Sequence, residues 1–507
     1  MSDVATSDSP VARAISSADV ALFVDASRDR SPLHVSEEYA RATAFGRPVA
    51  HGVLGALTCL AELPETAGLT IVGADFSFLA PTYPDVSYRV RVAAREGRAD
   101  ACRVQLTDGR RVLLRGDVDY GVLADTATLD DRAPDQWRRT ARDPREAGLQ
   151  PGDFLTGTYS PDWKAVEALD DRYELSHRGV CRSLIAALMC GSYSAGMEYP
   201  GSASLLCRLQ VSLSRRLERS AGQFGFSLCL NALDDRIAMA KLAGTLTDAT
   251  GRPWAHLNVG AIVRSEVEEP RAADVEEVSQ CRPSLEGKRA LVVGGSRGLG
   301  AAISLALAAA GCRVHVMFAG VPSYASRLEA AARERGWKLF PVHGDAADLA
   351  ACDAVRSEMA GQGPIDILVC NACPAPQPLW VEPSAVPRLS AYLASAFALV
   401  AAPLSTFAPD LVRAQGWHVL ISSAYAASAP ADLPHYAAAK AAVEGLARAA
   451  AAGNPTLRTL IVRPGKLLTE MNNTPLGRHG AVSPATVARH IVYTLAEGAA
   501  PGTVRTI

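Results

Sequence analysis

The chain has 507 residues, 49% of them hydrophobic and 21% charged, which excludes disorder as the main state and predicts two to four domains. Its 51 basic and 53 acidic residues leave a net charge of −2, which argues against a general nucleic-acid binder. The hydropathy pattern predicts no membrane span, the opening MSDVATSDSPVARAISSADV predicts no signal peptide, and eleven scattered cysteines suit reduced thiols in a cytoplasm.

Taken in chain order, Gly52–Leu63 reads as a helix, followed by alternating, strand-like runs at Thr70–Leu79, Tyr88–Ala94 and Arg103–Asp108. A polar break falls near residues 125–150. Beyond it the order returns: a helical stretch Val180–Met197, a Pro-Gly turn, then strands at Ser204–Ser212, Gly225–Leu233 and Arg236–Leu246. ADFSFLAPTYP in the first copy matches LLCRLQVSLSR in the second in position and alternation. This predicts two related halves, 1–130 and 148–265, each a helix with a curled antiparallel sheet. Residues 266–285 are acidic and contain proline, and they read as a linker. Residues 286–507 then alternate strand and helix. Lys288–Phe318 gives strand, glycine turn, Ala-rich helix and strand, and further strands fall at Ile365–Cys370, His418–Ser422 and Thr459–Val462. That pattern predicts an α/β Rossmann-like, doubly wound parallel sheet.

Two motifs carry chemistry. Asp29 and His34 flank a Ser-Pro pair that excludes a continuous helix. A carboxylate and an imidazole on one rigid loop are suited to general acid–base work. His51-Gly52 opens a helix whose free N–H groups can stabilise charge on a substrate oxygen. The string Asp29, Pro32, Leu33, His34, Tyr39, Ala40, Phe45, Gly46, Val49, Ala50, His51, Gly52 resembles the MaoC-like (R)-specific enoyl-thioester hydratases and dehydratases of the hotdog fold. Ser31 stands where that family has Asn. The resemblance implies an α+β double hotdog, with Asp29 and His34 as the catalytic pair and the Gly52 amide on the thioester carbonyl. The second half has only Asp170, Asp171 and His177, without the Pro-Leu-His context, and reads as a degenerate partner.

The second motif is ALVVGGSRGLG at residues 290–300, a strand, a glycine turn and a helix start. Gly294, Gly298 and Gly300 permit close approach of a pyrophosphate to the helix N-terminus. Asp345, Asn371-Ala372, Ser423, Tyr436-x-x-x-Lys440 and Pro464-Gly465 with Thr469 follow in order. Together they resemble the short-chain dehydrogenase/reductase family. The resemblance implies Ser423, Tyr436 and Lys440 as catalytic residues. It also implies nucleotide contacts from Gly294, Ser296, Arg297, Gly298, Leu299, Gly300, Asp345, Asn371, Ala372, Tyr436, Lys440, Pro464, Gly465 and Thr469. Lys440 lies one turn from Tyr436 and is expected to lower the phenol's pKa. The chain departs from the family at Val293, Cys370 and Cys373, and offers Tyr392 or Ser395 where an Asn often completes the site. Cys370 and Cys373 form a lone C-x-x-C that favours neither zinc nor thioredoxin chemistry, and no metal is expected. The end of the second strand, Met317-Phe318-Ala319-Gly320, lacks an acid, and Arg297 can meet a 2′-phosphate, so NADPH is expected.

The two resemblances share a β-hydroxyacyl thioester. They imply a bifunctional ketoreductase–dehydratase of fatty-acid or polyketide assembly. The rival readings are a β-oxidation-type hydratase and dehydrogenase, or a single activity beside a scaffold. The substrate is expected on an acyl carrier protein or CoA, and the chain as a homodimer or homotetramer. Arginines 138, 139, 142, 145, 215, 216 and 219 are candidate docking cations for an acidic carrier.

Overall fold

The computed structural model describes residues 10–65, 68–130, 138, 140–143, 148–218, 222–234, 236–265, 267–361 and 363–507. Two compact units result, one drawn from residues 1–265 and one centred on residues 266–507.

In the first unit the strands are β1 (Val11–Ile15), β2 (Thr70–Phe78), β3 (Val86–Arg95), β4 (Arg98–Thr107), β5 (Val112–Gly121), β6 (Thr126–Ala127), β7 (Phe154–Tyr159), β8 (Ser204–Leu213), β9 (Arg216–Leu217), β10 (Phe224–Asp234), β11 (Met239–Thr247) and β12 (Pro253–Val263). β6 and β9 pair as a separate ribbon. The other ten form one sheet in the order β1-β3-β4-β5-β2-β8-β12-β11-β10-β7. Read inward from either edge, each half runs first, third, fourth, fifth, second. In each half an outer helix (Ser17–Ser27, Trp163–Tyr173) and then a buried helix (Gly52–Leu60, Arg182–Tyr193) connect the first strand to the second.

The halves meet where β2 pairs antiparallel with β8, Asp75 opposite Gln210 and Ser77 opposite Arg208. These are the two segments whose alternation matches in the sequence. Ala74 and Phe76 on β2, and Leu209 and Val211 on β8, are buried on one face. The Asp75–Arg208 ion pair lies on the exposed face at 2.7 Å. Exposed pairs of this kind contribute about 0–1 kcal/mol, so apolar burial holds the seam. The outer strand β1 exposes four of its five residues, which explains why no alternation marks it in the sequence.

The second unit holds a parallel sheet of β13 (Arg289–Val293), β14 (Arg313–Phe318), β15 (Lys338–His343), β16 (Ile367–Cys370), β17 (Trp417–Ile421), β18 (Arg458–Val462) and β19 (Val504–Thr506). Their order is β15-β14-β13-β16-β17-β18-β19. The chain runs outward through β14 and β15, then returns to β16 on the other side of β13. This is the switch point of a doubly wound sheet, where a crevice opens at the strand C-termini.

Two sequence expectations are corrected here. The segment 266–285 is not an unstructured linker throughout, because Ala272–Cys281 is a 3-10 helix and Arg282–Leu285 an α-helical turn. Ala272, Val275, Val278 and Cys281 repeat every third residue and are buried, which is the 3-10 period. The second correction concerns Pro383–Ala414, which by length and composition is apolar enough to cross a membrane. A core helix passes the same test, and this one buries Val400, Leu404, Phe407 and Leu411 in the core beside β16 and β17. Trimming the fully buried Val278 to Ala is predicted to cost about 2 kcal/mol by the cavity it leaves, read as a lower urea midpoint for the second unit with an unchanged m-value.

Candidate functional sites

In the first unit the Ser17–Ser27 helix ends on Arg28 at φ 56°, and the reversal delivers Asp29. Pro32 then starts a single helical turn that carries His34. The His34 Nδ1 lies 2.8 Å from the Val49 carbonyl, which holds the proton on Nδ1 and leaves Nε2 as the free base. His34 stays partly exposed, whereas Asp29 is buried at 2% exposure. One carboxylate oxygen of Asp29 accepts the Ser31 amide at 3.1 Å, and the other accepts the Ser192 hydroxyl at 2.7 Å. His51 caps the Gly52–Leu60 helix. Its Nε2 lies 3.1 Å from the Asp29 carbonyl, and its ring stacks on His34 with centroids 3.7 Å apart. The amide of Gly52 is the first of that helix and has no intrahelical acceptor.

Burial raises the Asp29 pKa, against the lowering effects of His34, Ser192 and the Ser31 amide. Burial lowers the His34 pKa, against the raising effect of Asp29. His51 is pushed well down by burial and then by His34. The acid and the base are thus driven toward one another, which lowers the cost of moving protons between them and a bound substrate. Asp29, His34 and His51 bring their ligand-capable atoms within 4.8 Å of one another. Because His34 Nδ1 and His51 Nε2 each face a carbonyl, the arrangement suits proton transfer.

Two contributors escape the sequence reading. Ser192 belongs to the Arg182–Tyr193 helix of the second half, and Gly196 lies in the π-helical turn Ser194–Glu198 that follows it. A Cβ on Gly196 would sit 2.5 Å from Asp29 Oδ1, so only glycine leaves room for the carboxylate. Nothing in GSYSAG marks these residues; only the sheet pairing brings them to Asp29.

Among the described candidate arginines, three are paired with carboxylates. Arg138 and Arg142 pair with Glu198 at 3.1 and 3.5 Å. Arg215 is buried against Asp248, and Arg216 donates to Thr70 Oγ1 at 2.5 Å. Arg139, Arg145 and Arg219 lie outside the described residues.

In the second unit the glycine turn joins β13 to the Gly298–Ala309 helix, with Arg297 at the cap, Ser296 partly exposed and Leu299 buried. Gly294 has φ 71° and a Cβ there would meet Ala372 at 2.8 Å; a Cβ on Gly300 would lie 2.0 Å from the Gly294 carbonyl. Asn371 donates from its side chain to that same carbonyl at 2.8 Å. The Thr469 methyl stands 3.5 Å from where a Gly298 Cβ would be. Pro464 and Gly465 follow β18, and the Pro464 carbonyl accepts the Ala424 amide. Asp345 is exposed just after β15 and caps its own turn through the Ala347 amide. The glycines therefore leave the turn's backbone open to close approach, with Thr469 and the Glu470 carboxylate beside Gly298, which fits the pyrophosphate of a nicotinamide dinucleotide.

Ser423 follows β17, its hydroxyl oxygen accepts the Tyr425 amide at 3.2 Å, and it acts to lower the pKa of the Tyr436 phenol. Lys440 is buried, donates to the Ile421 carbonyl at 2.9 Å, and lies 5.7 Å from the Tyr436 ring centroid. The helix carrying both residues is fixed by Glu444, which takes the Ser422 hydroxyl at 2.6 Å and both arms of Arg463 at 2.6 and 2.8 Å. The expected effect of Lys440 is present but outweighed. Burial raises the phenol, Lys440 and Ser423 lower it, Cys373 and Tyr425 raise it, and the net direction is up. Tyr392, in the position where Asn is usual, donates to the Pro374 carbonyl at 2.8 Å and lies 3.6 Å from Cys373 Sγ.

Family models match at both places: a MaoC like domain over residues 5–111 and a short chain dehydrogenase over residues 288–476. L-rhamnose 1-dehydrogenase (NAD(P)(+)) of Sphingomonas sp. (strain SKA58) is 33% identical over 239 residues, covering 43% of this chain and 92% of that protein. Acetoacetyl-CoA reductase of Shinella zoogloeoides is 44% identical over 84 residues, 16% of this chain and 33% of that protein. Among solved structures, a dehydrogenase/reductase from Sinorhizobium meliloti 1021 is 27% identical with a TM-score of 0.41, covering 46% of this chain and 97% of that one. With a glycine turn, a Ser423–Tyr436–Lys440 cluster and a parallel sheet in one unit, and the Asp29–His34 loop in the other, the chain belongs to the short-chain dehydrogenase family and carries a MaoC-like domain ahead of its dehydrogenase.

Proposed function

We propose that the chain reduces a β-ketoacyl thioester with NADPH and then dehydrates the β-hydroxyacyl thioester to an enoyl thioester, in fatty-acid or polyketide assembly. The observation that carries this reading is the pairing, in one chain, of a buried acid and base whose pKa values converge with a Ser–Tyr–Lys cluster beside a dinucleotide turn. The product of the second chemistry's reaction is the reactant of the first. The partial match to an acetoacetyl-CoA reductase, named for a β-ketoacyl thioester, supports the substrate class. We read the ten-stranded sheet with its repeated strand order as a double hotdog.

NADPH supplies the hydride when bound. Tyr436 gives its phenolic proton to the oxygen formed at C3, while Ser423 donates a hydrogen bond to that oxygen and the Lys440 ammonium favours the phenolate left behind. In the other site the neutral His34 Nε2 removes the C2 proton. Asp29, whose raised pKa favours the acid form, protonates the departing C3 hydroxyl as the C3–O bond breaks. The Gly52 amide holds charge on the thioester oxygen, and return of the His34 proton to Asp29 resets the pair.

The carrier is an acyl carrier protein or CoA, and the compartment is a reducing cytoplasm, supported by eleven cysteines that are all free. Val386, Leu393 and Phe397 leave an apolar stripe exposed on the Val386–Ala414 helix, which supports a homodimer.

Mass spectrometry of β-ketoacyl-CoA and β-ketoacyl carrier protein incubated with NADPH should show hydroxyacyl and enoyl products. A strong NAD preference with hydroxyacyl-CoA oxidation would instead favour the β-oxidation direction. Asp29→Asn is expected to lower dehydration about a hundred- to ten-thousandfold and leave reduction unchanged, and Tyr436→Phe to do the reverse. Asp29→Asn also tests the burial argument. A carboxylate whose folded pKa is raised costs stability once the pH exceeds its ordinary value of 3.8. The Asn protein should therefore melt about 2–4 °C higher at pH 7, the gain shrinking as the pH falls toward 4. Since base strength requires neutral His34, the acid limb of dehydration should fall below the ordinary histidine value of 6.5.

A further inference from the structure

Beside the glycine turn, the second unit has an open pocket of about 400 Å³. Ser296 and Arg297 of the turn form one wall. Tyr324 and Arg327 form another, on the Pro322–Glu334 helix that follows β14, and Glu269 closes the rim. The Arg327 guanidinium lies over the Tyr324 ring, 4.7 Å from its centroid. It donates to the Glu269 carboxylate through Nη2 at 2.5 Å and Nε at 3.2 Å. Two parallel donors on a planar fork are the geometry that takes a carboxylate or a phosphate monoester.

The place matters as much as the chemistry. A doubly wound sheet meets the adenosine ribose at the end of its second strand. Here β14 ends at Phe318, with Ala319 and Gly320 beyond it and no carboxylate to bind ribose hydroxyls. The first polar side chains large enough to reach a ribose substituent from the following helix are Tyr324 and Arg327, with Arg297 across the pocket. Arg327 and Glu269 are 52% and 51% exposed, so their pairing is weak and open to exchange. A phosphate monoester carries up to twice the charge of a carboxylate and offers the same two-oxygen face.

We propose that Arg327, held against Tyr324, receives the 2′-phosphate of NADPH together with Arg297, and that Glu269 occupies this fork as a tethered competitor which the phosphate displaces. This rests on the NADPH reading above and adds to it the residues that discriminate. A nucleotide without the 2′-phosphate has nothing with which to displace Glu269, so the pair stays closed and selectivity increases.

The test is titration calorimetry of the full chain with two fragments, 2′,5′-ADP and 5′-AMP, against wild type, Arg327→Ala and Glu269→Gln. Wild type should bind 2′,5′-ADP more tightly than 5′-AMP. Arg327→Ala should weaken 2′,5′-ADP about tenfold or more and leave 5′-AMP unchanged. Glu269→Gln should tighten 2′,5′-ADP about two- to fivefold, again without effect on 5′-AMP. If wild type shows no preference for 2′,5′-ADP, the NADPH reading fails and the inference with it. A preference that survives Arg327→Ala overturns the inference alone. Unchanged affinity in Glu269→Gln overturns the competitor role.

Discussion

The pairing of β2 with β8 is the contact on which the first unit depends. Each half has the same strand order, and without this pairing each would end in an open edge whose unpaired amides and carbonyls invite association. Joined, the two second strands bury Phe76 against the same core as Leu209 and Val211. The join has a chemical consequence. It brings the Arg182–Tyr193 helix over the Asp29 loop, so that a hydroxyl from one half completes the acid carried by the other. A half with no acid–base motif of its own is therefore part of the site.

Burial does opposite work in the two units. At Asp29 it raises an acid and at His34 it depresses a base, and both changes bring the two groups closer in proton affinity. At Tyr436 burial raises a phenol that Lys440 and Ser423 lower. The position of Lys440, tied to the Ile421 carbonyl and backed by the Glu444–Arg463 pair, keeps the ammonium in place.

Much of this was legible in the chain. The Asp29–His34 string, the glycine turn and the Tyr436–Lys440 spacing are local patterns, and local patterns survive because the groups they bring together are separated by one loop or one helical turn. The alternation shared by residues 74–84 and 205–215 falls on β2 and β8, which hold the same place in the repeated strand order. The 3-10 helix at Ala272–Cys281 was missed because its period of three is short and falls among acidic residues. Composition does not tell whether a charge is already paired: Glu198 and Asp248, from elsewhere in the fold, pair with three of the described candidate arginines, Arg138, Arg142 and Arg215.

What the sequence by itself determined is the two classes of unit and which candidate groups share one loop or one helical turn, since both follow from residue types at fixed short spacings. Only the tertiary structure decided what surrounds them. Ser192 and Gly196 reach Asp29 across more than 160 residues of chain, Glu444 locks the Tyr436 helix to β18, and Glu269 closes on Arg327. Each of these is a contact between segments that no local pattern connects. Their place depends on sheet register and on which apolar faces must be buried, and these are settled only when the whole unit packs.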